Sequence, residues 1–495
     1  MKTIIQKIKE EKALWMILLF SVVVRMINIT MPLLEGTATR QIRTAMVARN
    51  LFLQHFNIFY PSADFLGPGP GYLVLEFPFL NAIIAFFYKI LGGVHEWAAR
   101  AVVIAFFIGT CLFLYKIVKR LFNEKIALIS LFVFTIFPLS VIYSRTVMPD
   151  FVTLFFSLGA LFFMLKYAEA PEIKAAFYLS SLFLACSLLV KPQSFYMLIS
   201  LVYLMYRKDN NKFILKPSSW VYIFIGIVPI GLWLLHGKSV HTTISAEEFY
   251  NFKPDNWFLL KLLWDLGYYK NTFMIINTWA LSVFGFILFI AGLFVKINKD
   301  KIRFLLAWLS AVILYYIAFN THIMYQPYYH VPLLPVAAIF IALSINKIWE
   351  HKVFLKKYSA IVLIIGLLCA ASVLRYALYA YIVPKGYRHI PELARTIDKM
   401  FPDKDTLLVT TLPDGHATLY YAQRKGWSFT LPGNDPAKTE AAIKLLEKMK
   451  AEGAKCFVSV CDAFFDKSPD FKQYIVKNYK LADKQEGVYS IYLLK

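Results

Sequence analysis

Runs of about twenty apolar residues are long enough to cross a bilayer, and this chain carries such runs along most of its length. They fall at roughly 14–33, 98–118, 126–144, 151–167, 175–190, 195–206, 218–235, 273–296, 303–319, 332–346 and 358–382. Two of them, 195–206 and 332–346, are short for a hydrocarbon core of about 30 Å and call for tilt or a kink. Hydrophobic residues make up 59% of the 495, charged residues only 17%, and the mean hydropathy is +0.56. That composition excludes a soluble globular fold and predicts a polytopic α-helical membrane protein with about 11 transmembrane helices, because backbone in lipid must satisfy its own hydrogen bonds.

The net charge of +22 does not point to nucleic acid, because the basic residues sit in short clusters between apolar spans. Such clusters mark loops kept on the cytoplasmic side, where they attract anionic head groups. The segment 78–92 decides the topology. Read as a helix lying in the outer interface, it keeps Lys119, Arg120 and Lys125 inside, together with the clusters at 207–216, 296–303 and 347–357. Eleven spans then place the N-terminus in the cytoplasm and the C-terminus outside, as in an inner (plasma) membrane protein. The N-terminal MKTIIQKIKEEK resembles a signal peptide but lacks a small-residue cleavage site before Pro32, which predicts a retained first span.

Hydropathy falls sharply after Pro384. Helical patterns at 391–401, 436–452 and 468–479 alternate with the apolar runs LLVTT, KCFVSV and VYSIYLL, the signature of a small α/β domain. The expected division is a membrane domain over 1–384, with its first outer loop at 34–97, and an extracytoplasmic domain over 385–495. Gly453 stands where the middle helix needs a cap. The five cysteines give no disulfide framework: Cys111, Cys186 and Cys369 lie in spans, and Cys456 and Cys461 are five apart on an expected strand.

The first outer loop, EGTATRQIRTAMVARNLFLQHFNIFYPSADFLGPGPG, is far richer than a connecting link needs. Ionisable groups held against a bilayer are costly and mark a site by default. Glu76, in LVLEFPF, must be paired or hold a raised pKa; it reads either as a general base or as a partner that fixes Arg40 or Arg43. Asp150 closes SRTVMPD, beside Arg145, and reads either as a first-turn acid after a proline or as a site residue. Lys191 either snorkels or holds a lipid-linked phosphate, with Arg40 and Arg145 adding charge. THIMYQPYYHVPLLP brings His322, Tyr325, Tyr328, Tyr329 and His330 to the head of a short span; an aromatic belt explains the tyrosines, and the two histidines lack a paired-ligand spacing for metal. No P-loop, GxSxG elbow, HExxH or Cys/His zinc pattern occurs, which leaves ATP-driven transport without support.

Taken in order, RQIRTAMVARN (40–50), YPSADFLGPGPGYLVLEFP (60–78), YSRTVMPD (143–150), LLVKPQS (188–194), YYHVPLLP (328–335) and YYAQRKGW (420–427) resemble GT-C glycosyltransferases of the dolichyl-phosphate-mannose protein mannosyltransferase type, family 39 and its relatives, a group that includes the lipid A aminoarabinose transferase. The resemblance implies a GT-C fold with interfacial helices in the first outer loop. It also implies transfer of one sugar from a polyprenyl-phosphate donor to a lipid, glycan or protein acceptor at the outer leaflet. Asp150 matches the second-loop acid, and Glu76 is the candidate for the first-loop acid, with Glu35 and Asp64 as alternatives. Lys191, Arg40 and Arg145 would bind the donor phosphate, and Gln41, Asp64, Tyr329 and His330 would contact substrate. No metal or other cofactor is expected. Many relatives carry an acid within the segment that here reads RQIRTA, where this chain has Arg43. That departure keeps an inactive scaffold in play, and Arg25 in the first span keeps a flippase or transporter of lipid-linked sugars in play.

Overall fold

The computed structural model describes residues 2–36, 38–240, 257–350, 359–413 and 415–494. They divide into two compact units. One takes the residues up to Thr30, Arg100–Ser239 and the described residues from 257 to Tyr381; the other takes Met31–Ala99 and the chain from Ile382 onward.

The first unit is helical and polytopic, with fewer full spans than the apolar runs predict. Among the described residues six helices are long and apolar enough to cross a membrane: Glu96–Leu121, Asp150–Glu169, Pro217–Val240, Lys299–Ala318, Pro327–Glu350 and Gly366–Tyr387. A seventh is obtained if the pair Leu266–Ala280 and Val283–Leu293, bent by 103°, counts as one span. The expectation of about 11 is corrected among the described residues: Lys174–Val190 has only 17 residues, the first helix ends at Met26, and three further runs are broken or shortened at a turn. The run 126–144 divides into Glu124–Ile136 and Pro138–Tyr143, because Phe137 turns extended ahead of Pro138. The run 195–206 is the 13-residue helix Met197–Asp209, entered through a 3-10 turn that begins at Pro192. At about 1.5 Å per residue, 13 residues reach only about 20 Å. The 103° bend follows a π-helical turn, Ile276–Ala280, and Ser282 at φ 63°.

Helix packing in this unit relies on small residues. The helices Asp150–Glu169 and Lys174–Val190 approach so closely that a Cβ on Gly159 would lie 2.1 Å from the Phe183 ring, and Ser157 and Ser187 hydrogen-bond across the contact at 2.7 Å.

The second unit is built around a five-stranded sheet of β1 (Leu407–Thr411), β2 (Gly426–Phe429), β3 (Ala454–Ser459), β4 (Lys480–Gln485) and β5 (Tyr489–Leu493), in the order β2-β1-β3-β5-β4. β1 runs parallel to β2 and β3, and β5 is antiparallel to β3 and β4. Helices Ile390–Met400, Pro436–Ala451 and Pro469–Asn478 fall where the apolar periodicity predicts them, and Asp435 caps the second through its side chain. Gly453 takes φ 109° just after that helix. The core under the sheet is aromatic and aliphatic, centred on Phe429, Phe457, Phe465 and Phe471. Cys111, Cys186, Cys456 and Cys461 are free thiols.

Residues 31–99 group with this sheet. Gly67 donates its N–H to Gly426 O at 2.8 Å, Gly426 returns one to Asp64 O at 2.8 Å, and Leu66 bridges Trp427, so the loop is tied to the outer side of β2 by an isolated bridge. The GPGPG turn that allows this needs its glycines: Gly71 has φ 65°, and a Cβ there would meet Ala63 O at 2.3 Å. The apolar run at 78–92 forms the helix Phe79–Leu91, whose 13 residues are too few for a span.

Candidate functional site

In the helical unit the chemistry gathers in a cleft at the ends of two helices. Pro149 precedes the helix Asp150–Glu169 and puts Asp150 in its first turn. Lys191 ends Lys174–Val190 in extended backbone, φ −154°, because Pro192 follows. The lysine Nζ donates to Asp150 Oδ1 at 2.6 Å, and both side chains are largely buried, 14% and 4% exposed. The Tyr328 and Tyr329 rings stand 5.1 and 4.9 Å from the ammonium, within cation–π range. Burial and the nearby Lys191 both push the His322 pKa down. His322 also packs against Tyr329, with ring centroids 5.0 Å apart.

Unused polar atoms mark this cleft. Asp150 Oδ2, Gln193 Oε1 and Ser194 Oγ are buried and have no hydrogen-bond partner among the described residues, and all three residues line the cleft. A buried polar atom left unsatisfied costs about 1–3 kcal/mol, so three together point to a ligand that supplies the missing bonds. Gln193, Ser194 and Tyr315 were not singled out from the sequence. The first two sit in the LLVKPQS motif and were within reach; Tyr315 lies inside an apolar span, where an aromatic carries no signal.

Two residues expected here have their side chains bonded to the surrounding helices and turns. Arg145 is fully buried and donates to Ala380 O at 2.7 Å and Asn28 O at 3.0 Å, with its guanidinium over the Tyr381 ring. His330 uses both ring nitrogens, one with the Tyr316 hydroxyl at 2.8 Å and one with Ile323 O at 3.0 Å; its neighbours Val331 and Pro332 line the cleft. Arg25 is likewise engaged, bonding Ser144 Oγ at 2.5 Å, Ser21 Oγ at 2.9 Å and Thr135 O at 3.0 Å.

The second unit holds the remaining candidates. Glu76 pairs with Arg40, both about a fifth exposed. Gln41 is buried and donates to Glu35 O at 3.0 Å and Glu35 Oε2 at 3.2 Å. Asp64 is paired on both oxygens: Arg49 pairs with one, Asn50 Nδ2 donates to the other at 2.8 Å, and Arg49 also reaches Tyr420 O at 2.5 Å. Of the three candidate carboxylates Glu35, Asp64 and Glu76, Asp64 has a bond on each oxygen, while Glu76 is the most exposed and carries one partly exposed cation. Among the described residues no group of three His, Cys, Asp or Glu could hold a metal ion.

The family model for dolichyl-phosphate-mannose-protein mannosyltransferase matches residues 76–236, the stretch that contains Glu76, Asp150 and Lys191. ArnT from Cupriavidus metallidurans, solved bound to undecaprenyl phosphate, is similar over 97% of both chains, with TM-score 0.68 and 13% identity. The fold is GT-C. The GT-C likeness extends to the Archaeoglobus fulgidus oligosaccharyltransferase, with TM-score 0.61 and 13% identity over 98% of this chain and 74% of that one. It extends also to the mycobacterial arabinofuranosyltransferase AftD, with TM-score 0.58 and 14% identity over 97% of this chain and 40% of that one. No curated protein matches the chain in sequence.

Proposed function

We propose that this GT-C protein transfers a single sugar from a polyprenyl-phosphate donor to an acceptor hydroxyl at the extracytoplasmic membrane surface, with inversion at the anomeric carbon. The observation that carries the reading is the buried Asp150–Lys191 pair, whose second carboxylate oxygen faces an unsatisfied polar cleft. The match to the mannosyltransferase family model and the undecaprenyl phosphate bound by the structurally similar ArnT support a lipid-phosphate donor.

In this mechanism the acceptor oxygen attacks C1 and its proton passes to a carboxylate, for which Glu76 is the candidate. The bond from C1 to the phosphate oxygen breaks, and its electron pair leaves with the polyprenyl phosphate. Lys191 meets the charge that develops there; such a contact contributes about 10²–10³ in rate when it strengthens in the transition state. Asp150 fixes the ammonium and offers Oδ2 to a hydroxyl of the bound sugar. The positive charge at the leaving group thus comes from a side chain, and we propose that no metal is needed. The cytoplasmic N-terminus and extracytoplasmic C-terminal domain belong to the same proposal, resting on the basic loops.

The rival transporter reading calls for ionisable groups at mid-membrane and paired broken helices; one bent pair, Leu266–Ala280 with Val283–Leu293, occurs among the described residues, while Arg25 bonds Ser144, Ser21 and Thr135. The deciding experiment reconstitutes the protein in lipid and offers radiolabelled polyprenyl-phosphate sugars to wild type, Asp150→Asn and Lys191→Ala. Sugar transfer or release by wild type, lost in both variants, is expected. Donor movement across the bilayer with no cleavage would refute the enzyme reading.

A further inference from the structure

The unbonded atoms of the Asp150 cleft share a very small space, and its size narrows what a donor sugar can present there. Lys191, Gln193 and Ser194 come from one stretch of backbone. Pro192 opens the 3-10 turn Pro192–Tyr196, and the Ser194 N–H donates to Lys191 O at 2.9 Å. This stretch meets the first turn of the helix Asp150–Glu169, where Lys191 Nζ reaches Asp150 Oδ1. Asp150 is buried and Ser194 is 2% exposed. Thr153, also in the lining, donates its hydroxyl to Pro149 O at 3.0 Å. Tyr196 and Tyr315 form an aromatic wall, with ring centroids 5.2 Å apart. Asp150 Oδ2, Gln193 Oε1 and Ser194 Oγ are what the lining leaves unbonded among the described residues.

The cavity they line measures about 20 Å³. A water-sized group needs at least about 10–15 Å³ of such space, so one hydroxyl fits and a sugar ring does not. The ring must lie outside and reach in with a single group. A hydroxyl donates one hydrogen bond and accepts two. It can donate to Asp150 Oδ2, accept from the Ser194 hydroxyl, and take its third bond from Gln193, whose amide can turn either end inward. All three side chains are then satisfied by one group. A carboxylate or phosphate there would be repelled by Asp150, and an ammonium would have to share that carboxylate with Lys191. Asp150 and Lys191 are the only charged groups among the described lining residues. The position on the ring follows from Lys191, which holds the other oxygen of the same carboxylate and, in the reaction proposed above, meets the phosphate on C1. The hydroxyl beside C1 is the one on C2.

We propose that Asp150 Oδ2, Gln193 and Ser194 form a one-hydroxyl niche for the C2 hydroxyl of an uncharged donor sugar, which makes Gln193 and Ser194 specificity-determining; the C2 assignment rests on the glycosyltransferase reading. The test measures binding to the full chain in detergent by native mass spectrometry. The probes are undecaprenyl phosphate and its glucosyl, mannosyl, galactosyl and arabinosyl esters, each ester beside its 2-deoxy counterpart. The best-bound ester should exceed its 2-deoxy counterpart about 10²-fold, because the deoxy sugar leaves buried polar groups unpaired. Ser194→Ala removes a hydroxyl that bonds nothing among the described residues, so it should fold. Ser194→Ala and Gln193→Met should each weaken the parent ester about tenfold and leave its 2-deoxy counterpart and undecaprenyl phosphate unchanged, a coupling that a merely structural role does not produce. Equal binding of parent and 2-deoxy esters, no binding of any ester, or equal weakening of both by the variants would overturn the niche. Sugar transfer by wild type alongside any of these results leaves the enzyme reading standing. The C2 preference in a protein that transfers no sugar would do the reverse.

Discussion

Two buried ion pairs in this molecule look alike and do different work. Arg49–Asp64, in the sheet-containing unit, is closed: Asn50 and the Tyr420 carbonyl take up what the pair leaves over, and the aspartate backbone holds the Gly426 N–H. Lys191–Asp150, in the helical unit, is open: one aspartate oxygen has its lysine and the other faces a cleft with nothing to accept from among the described residues. A closed pair holds two chain segments together. An open one keeps bonding capacity in reserve for a ligand. The difference lies in the surrounding donors and not in the residue types.

The largest separation should come from breaking each pair. Asp150→Asn is expected to lower transfer by about 10³, near 4 kcal/mol in the barrier, measured per folded molecule. Turnover near wild type would remove Asp150 from the chemistry. Arg49→Ala leaves Asp64 buried without its cation and should destabilise the fold by about 3–5 kcal/mol. Thermal unfolding in detergent checks this, and activity per folded molecule should be retained.

A gentler contrast uses pH. Burial, followed by the charge of Arg43, pushes the His416 pKa well below its ordinary value. The unfolded chain binds that proton near pH 6.5 and the folded chain does not, so this contribution is complete above about pH 7.5 and is lost as pH falls. The slope approaches about 1.4 kcal/mol per pH unit below the unfolded pKa. The difference in stability between wild type and His416→Asn, followed by urea unfolding from pH 8 to 5, should show that slope; parallel curves would contradict it. The smallest expected effect is that of a chelator. With Lys191 supplying the charge at the leaving phosphate, EDTA should leave the transfer rate unchanged, and a loss restored by a divalent ion would call for a metal in the open cleft.

Much of the architecture was legible because hydropathy is local. The membrane class, the change of regime after Pro384, three helices and three strands of the α/β domain, and the short helix at 79–91 all follow from periodicity and composition. The number of full spans was not legible. Phe137–Pro138 and the π-turn before Ser282 break runs whose hydropathy is continuous. β2 and β4 escaped notice as well: β2 is only four residues long, and β4, KLADKQ, is largely exposed.

The site divides in the same way. Glu76, Asp150 and Lys191 stood out in the sequence because charge beside apolar runs is costly. Which charge met which was a tertiary matter. Lys191 reaches Asp150 across 41 residues of chain, and Arg49 meets Tyr420 across 371. The sequence by itself determined that this chain enters the bilayer and carries ionisable groups at its margins, since the cost of charge in hydrocarbon is a property of each residue. Only the tertiary structure decided that Asp64 meets Arg49 and Asn50, that Arg145 and His330 bond neighbouring backbone, and that Asp150 keeps one oxygen unbonded among the described residues, because hydrogen-bond satisfaction belongs to the neighbours that folding brings together.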